Sequence, residues 1–145
     1  MSAKEMIHTE ITVHVPIEEA WAYWTLPEHI MHWNFASKDW QCPQAINDLR
    51  TGGTFNYRME AKDKSAGFDF YGVYEVVEEF TKINYTLGDE RKVHIQFIPE
   101  GEDTHILQNF EAESENPVDL QRFGWQAIMN QYKEYVEKTQ GILIK

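Results

Sequence analysis

The sequence predicts an α+β fold, a curved antiparallel sheet closed over one long C-terminal helix. Two observations carry that prediction. Through the middle of the chain, apolar and polar residues alternate between clusters of turn-forming residues, the pattern of a meander of half-buried strands. The last segment keeps a helical period longer than any other in the chain, and only such an element can cover the apolar face of the sheet.

The elements follow in order. Ile7, Ile11, Val13 and Val15 share one face of a first strand, with His8, Glu10, Thr12 and His14 on the other. Pro16 sits where a helix can open, and Glu18 and Glu19 suit the positive end of its dipole. Ile17, Ala20, Trp21 and Trp24 recur at helical spacing. Pro27 disfavours helical geometry at Leu26 and opens a second short helix, read from Pro27 to Trp33. From Asn34 to Leu49 the pattern is irregular and reads as a loop returning to the sheet near Ile46.

Gly52-Gly53 marks a turn before a hairpin whose first strand carries Phe55, Tyr57 and Met59 and whose second carries Phe68, Phe70, Gly72, Tyr74 and Val76. Further strands are read at Lys82 to Leu87, Lys92 to Ile98 and Thr104 to Phe110, about six in all. Asn116 is read as an N-cap and Pro117 as the first residue of the long helix. Its stripe is Leu120, Phe123, Gly124, Ala127, Ile128 and Tyr135, widened by Trp125, Met129, Tyr132 and Val136, and Gly141 offers a stop. Gly72 and Gly124 are read as places that permit a bend or the close approach of another backbone, both in keeping with a curved grip.

Composition narrows the function. The 145 residues suit one domain over 1–145. Thirteen basic residues against twenty-four acidic ones leave a formal charge of −11, which repels phosphate backbones and anionic lipid surfaces, so neither nucleic acid nor a membrane is an expected partner. No apolar run approaches the ~18 residues of a membrane span. The N-terminus shows no basic region followed by an apolar one. Cys42 is the only cysteine, which suits a reducing compartment such as the cytoplasm.

The layout resembles the START-like, or SRPBCC, superfamily and its helix-grip, birch-pollen-allergen-like fold. Within it, the residues resemble the branch of the activator of heat shock protein 90 ATPase, C-terminal domain type. The likeness rests on Pro16 and Trp21, on Trp24-Thr25-Leu26-Pro27-Glu28-His29-Ile30 with Trp33, and on Asp48-Leu49-Arg50-Thr51-Gly52-Gly53-Thr54-Phe55. It continues through Met59, Phe68-Asp69-Phe70, Gly72, Tyr74-Glu75-Val76, Phe97, Thr104 and Gln121-Arg122-Phe123-Gly124-Trp125. Where the branch often carries Asp-Gly-Arg, this chain has Asp89-Glu90-Arg91, so a different turn geometry is expected there. The resemblance implies one of several functions that share the scaffold: binding lipids, sterols or hormones, cyclising polyketides, or assisting a chaperone in stress response.

Catalytic apparatus is hard to find. His29 and His32 stand three apart, not in the H-E-x-x-H spacing of zinc proteases, and read as an exposed helix face. Asp69 and Glu75 alternate away from the inward rings and read as surface charges, and Cys42 has no histidine near it in sequence. No motif implies a metal or cofactor. The strongest signal is the aromatic content, 14 % of the chain, which either fills the core or lines a cavity within it. The expected ligand-binding residues are Trp24, Trp33, Phe55, Tyr57, Met59, Phe70, Tyr74 and Phe97 with Phe123, Ala127 and Ile128 of the helix. A small apolar molecule is the expected partner. A chaperone or homodimer contact, and a cyclase- or hydrolase-type activity, are the alternatives.

Overall fold

The computed structural model describes residues 5–141. The elements are β1 (Met6–Val13), α1 (Ile17–Thr25), α2 (Pro27–Ile30), β2 (Trp40–Asn47), β3 (Thr54–Ala61), β4 (Gly67–Glu78), β5 (Lys82–Leu87), β6 (Lys92–Glu100), β7 (Asp103–Glu111) and α3 (Val118–Thr139). Among the described residues seven strands form one antiparallel sheet in the order β1-β7-β6-β5-β4-β3-β2. Strands β2 to β7 are a plain meander, and β1 joins beside β7 with Ile7 opposite Phe110 and Val13 opposite Thr104. The helix-grip expectation is met: a curled sheet holds a long C-terminal helix, with two short helices after the first strand.

Four local readings change, the first being that α2 ends at Ile30 and not at Trp33. The irregular segment before Ile46 is not a loop but strand β2, whose register slips between Gln41 and Gln44. That bulge holds Cys42 and Pro43 and breaks the period-two alternation by which strands are recognised, while Pro43 removes a ladder donor. Asn116 does not cap α3; its amide donates to Glu113 Oε2 at 2.9 Å, and the helix opens from Pro117 without a side-chain cap. Finally, Glu90 takes φ of 74°, the left-handed region that glycine favours, so the β5–β6 turn adopts a glycine-like backbone without a glycine.

The core forms where β1, β6 and β7 meet α1 and the C-terminal half of α3. Ile7, Val13, Val93, Ile95, Ile106 and Phe110 from the strands are none of them more than 2 % exposed. Against them lie Ala20 and Trp21 of α1 and Met129, Tyr132 and Val136 of α3. The Tyr132 hydroxyl donates to the Ala20 carbonyl at 2.6 Å, so the ring is both packed and tied. This position sets the phase of α3. Phe123 lies nine residues before Tyr132, and at roughly 100° per residue that is half a turn away. Phe123 is accordingly 74 % exposed, the reverse of the inward place expected for it.

Side chains of α3 also cover the free edge of β1. Gln126 accepts from Glu10 N at 3.3 Å and donates to Glu10 O at 3.0 Å, as a neighbouring strand would. Lys133 Nζ donates to Thr12 O at 2.6 Å, and Glu137 Oε2 accepts from His14 N at 3.0 Å. Glu137 is buried but paired, because Lys133 Nζ also reaches its Oε2 at 2.8 Å.

Candidate functional site: an aromatic cavity beneath the long helix

The other end of the sheet has no such filling. Between β3, β4 and β5 on one side and the N-terminal half of α3 on the other lies a cavity of about 490 Å³. The wall is built by register. Phe55, Tyr57 and Met59 alternate inward on β3 and stand opposite Gly72, Phe70 and Phe68 of β4. Gly72 is needed there, since a Cβ would sit 2.5 Å from the Thr86 carbonyl oxygen and 3.1 Å from the Phe55 ring. The Phe55 ring can therefore lie among Tyr57, Tyr74 and Tyr85, with centroids 5.0, 5.1 and 4.8 Å away.

The roof comes from α3. Leu120, Gln121, Gly124, Trp125, Ile128 and Met129 face the cavity. Trp125 stacks on Phe110 at 3.8 Å and meets Phe70 edge-on at 5.8 Å, which ties the helix to the aromatic wall. At Gly124 an added Cβ would have no neighbour within 4 Å. The glycine read as a point of close approach instead faces open space. Trp24 and Trp33 close the inner end, held by the Trp33 indole N–H donating to Tyr23 O at 2.9 Å.

Polar atoms are few, and most fall at two places. At the inner end, Tyr74 donates to Asn47 Oδ1 at 2.5 Å, Asn47 Nδ2 donates to Thr25 O at 2.7 Å, and the Tyr57 hydroxyl stands 3.4 Å from that of Tyr74. Burial pushes the Tyr74 phenol up to about 12 against the pull of its hydrogen bonds, and burial followed by the nearby Tyr74 drives Tyr57 well above the usual phenol range. Both stay protonated at neutral pH. At the mouth stand Arg91, Glu113 and Asn116, with Gln121 buried behind them.

Of the expected ligand-binding residues, Trp24, Trp33, Phe55, Tyr57, Met59, Phe70, Tyr74 and Ile128 line this space. Three do not. Phe97 belongs to the core beneath, edge-on to Trp21 at 5.0 Å and to Trp24 at 5.8 Å. Phe123 points to solvent, and Ala127, half-buried, lies outside the lining for the same reason of helical phase. Lining residues passed over include Ile83, Tyr85 and Gln108. Ile83 and Tyr85 carried the signal, since they alternate on β5 as the rings of β3 do. Gln108 carried one as well, a polar residue at an inward position between Ile106 and Phe110.

The other groups weighed in the sequence lie elsewhere. Cys42 is buried, and that burial raises its thiol to about 11, so no thiolate forms near neutral pH. Asp69 faces Arg58 at 3.7 Å and Glu75 pairs with Lys92 at 3.1 Å, both on the outer surface. His29 is half-buried, with Nδ1 hydrogen-bonded to the Tyr135 hydroxyl at 2.7 Å, and His32 stacks on the Tyr135 ring. Among the described residues no three His, Cys, Asp or Glu side chains converge as a metal site would require, and no helix is long and apolar enough to cross a membrane.

Comparison with known proteins decides the family. The profile of the Activator of Hsp90 ATPase homolog 1-like protein family matches residues 14–137. The chain belongs to this family. An AHSA1-like protein from Aeromonas hydrophila, solved by NMR, is 38 % identical over 94 % of each chain with a TM-score of 0.89. A protein from Cytophaga hutchinsonii is 47 % identical over 96 % of each chain with a TM-score of 0.80. A protein from Nitrosomonas europaea, 18 % identical over 97 % of this chain and 99 % of that one, shares the fold at a TM-score of 0.80. No curated protein sequence matches. Within this AHSA1-like chain the family match spans both the core and the wall of the cavity, from His14 before α1 to Glu137 of α3.

Proposed function

We propose that this AHSA1-like chain binds and carries a small, largely apolar molecule in the cavity between β3–β5 and α3. One observation carries the reading. A space of about 490 Å³, walled by rings and roofed by a helix that presents Gly124, remains in a fold whose other half is closely packed. Small-molecule sites typically measure about 300–1,000 Å³ and are mostly apolar with a few placed polar groups. The lone cysteine, reduced and buried, agrees with a cytoplasmic carrier.

Nile red, an uncharged dye whose emission rises in apolar surroundings, tests the proposal. It should bind the folded protein at one saturable site, and Ile128→Trp, which thrusts a bulky ring into the lining, should abolish that binding while the fold persists. Unsaturable binding, or binding indifferent to Ile128→Trp, would count against a carrier. The family's named relation to the Hsp90 ATPase supports a second reading, a domain that contacts a chaperone. Acceleration of a chaperone ATPase by the purified chain would favour it over the first.

A further inference from the structure

Three residues on the cavity wall keep donors without acceptors. Arg91 lines the cavity with its side chain 17 % exposed, and among the described residues its guanidinium donates only from Nε, to Asp89 Oδ2 at 2.7 Å. Both Nη groups, four N–H in all, have no acceptor there. Tyr85 is 8 % exposed, and its hydroxyl bonds to no described residue. Gln108 is 5 % exposed; its Oε1 accepts from Thr9 at 3.1 Å, while its amide nitrogen is not used. Among the described residues the one side-chain polar atom that is both sealed and unpartnered is Asn56 Oδ1. The Tyr85 hydroxyl and the Gln108 amide nitrogen therefore reach open space, and the space that both residues line is the cavity.

Most acceptors beside these donors are occupied. Both oxygens of Glu113 are used, Oε1 by the backbone N–H groups of Glu115 and Asn116 and Oε2 by the Asn116 amide. Burial opposes charge on Glu113, yet those hydrogen bonds prevail and hold its carboxyl below the usual value. Gln121 Oε1 accepts from Glu113 N at 2.9 Å. Asn116 Oδ1 at the mouth accepts from no described residue, yet the unpaired donors of Arg91, Tyr85 and Gln108 outnumber it, so the wall offers a partner more donors than acceptors.

Charge limits what that partner can be. Asp89 already balances Arg91, and ionised Glu113 adds a further negative charge at the same mouth of a chain whose formal charge is −11. A carboxylate or phosphate would enter against that field. We infer that the ligand is uncharged and carries a hydrogen-bond-accepting carbonyl, as a ketone, ester or amide, which Arg91, Tyr85 and Gln108 receive while its apolar body lies among the rings. The inference rests on the carrier reading and adds to it the class of ligand. Burial, ahead of the nearby Tyr74, raises the Tyr85 phenol far above its usual range, so the hydroxyl stays a donor at every physiological pH.

Three probes of one shape separate the possibilities: fluorene, fluorenone and fluorene carboxylate, each competing with Nile red. Fluorenone should displace the dye about tenfold more tightly than fluorene, as a hydrogen bond to a charged or buried donor allows, and the carboxylate should be the weakest of the three. In Tyr85→Phe, and again in Arg91→Met, the fluorenone-to-fluorene ratio should fall towards one. The Tyr85→Phe melting midpoint should be unchanged, since the hydroxyl bonds to no described residue. Equal binding of fluorene and fluorenone, a ratio that survives both substitutions, or tightest binding by the carboxylate would overturn the inference and leave the carrier standing. Failure of all three to displace the dye would overturn both.

Discussion

The two halves of the sheet obey one alternation and reach opposite results. On β1, β6 and β7 the inward residues are mostly aliphatic, and they lie buried against Met129, Tyr132 and Val136. On β3, β4 and β5 they are mostly rings, and these stack on one another beneath a stretch of helix that presents a glycine. Rings are stiff and flat, so a cluster of them fills a concave surface poorly unless something opposite is shaped to complete it. What lies across from a strand, more than the strand's own pattern, decides whether it builds a core or a container.

The largest effect should come from testing that contrast with the same substitution on each side. Tyr132→Ala removes a fully buried ring and its bond to Ala20 O, and should cost about 3–5 kcal/mol. Tyr57→Ala should cost distinctly less, because its ring already borders open space. Denaturant unfolding measures both, and equal losses would mean that the two halves are packed alike. A smaller effect of opposite sign is expected at Gly124. An alanine there meets no atom within 4 Å and relieves the helix of a glycine, so Gly124→Ala should raise stability by about 0.5–1 kcal/mol. A lower denaturation midpoint in this variant would place the helix against the sheet after all.

The smallest effect lies on the solvent face of the packed half. The Glu10 carboxylate at 2.6 Å, then the Asn109 amide oxygen at 2.8 Å, raise His8 above its ordinary value of 6.5. A raised value in the folded state means that the contribution to stability is complete below pH 6.5 and fades as pH climbs through the folded value. His8 is largely exposed, so solvent screens the pair and the effect is slight. His8→Gln should remove that small alkaline loss, and NMR titration of the ring should give a value above 6.5. A titration at or below 6.5 would discard the contact as a source of pH dependence.

The strands of the meander were legible because each exposes one face, and a half-exposed strand writes its alternation into the chain. β2 was not legible, since its bulge and Pro43 erase that alternation where it would have been read. The long helix was found, but its rotation was not. Leu120, Phe123 and Trp125 are all apolar, and only the seating of Tyr132 against α1 determines which of them turns inward. Most of the cavity wall could be read from β3 and β4. Its polar donors could not, because Arg91 sits at a turn and Gln108 on the strand that supplies the core. Gly124 shows the limit plainly: a glycine in a helix is equally consistent with a tight contact and with an empty one.

The side chains of α3 along β1 have a consequence for how molecules meet one another. An open sheet exposes two edges, each able to recruit a strand from a second chain and so to start a fibre. At one edge, Gln126, Lys133 and Glu137 already occupy main-chain groups of Glu10, Thr12 and His14 that an intruding strand would need. At the other, the slipped register and Pro43 spoil the flat ladder of β2. The half-barrel can therefore keep an open mouth while both of its sheet edges are blunted against strand pairing.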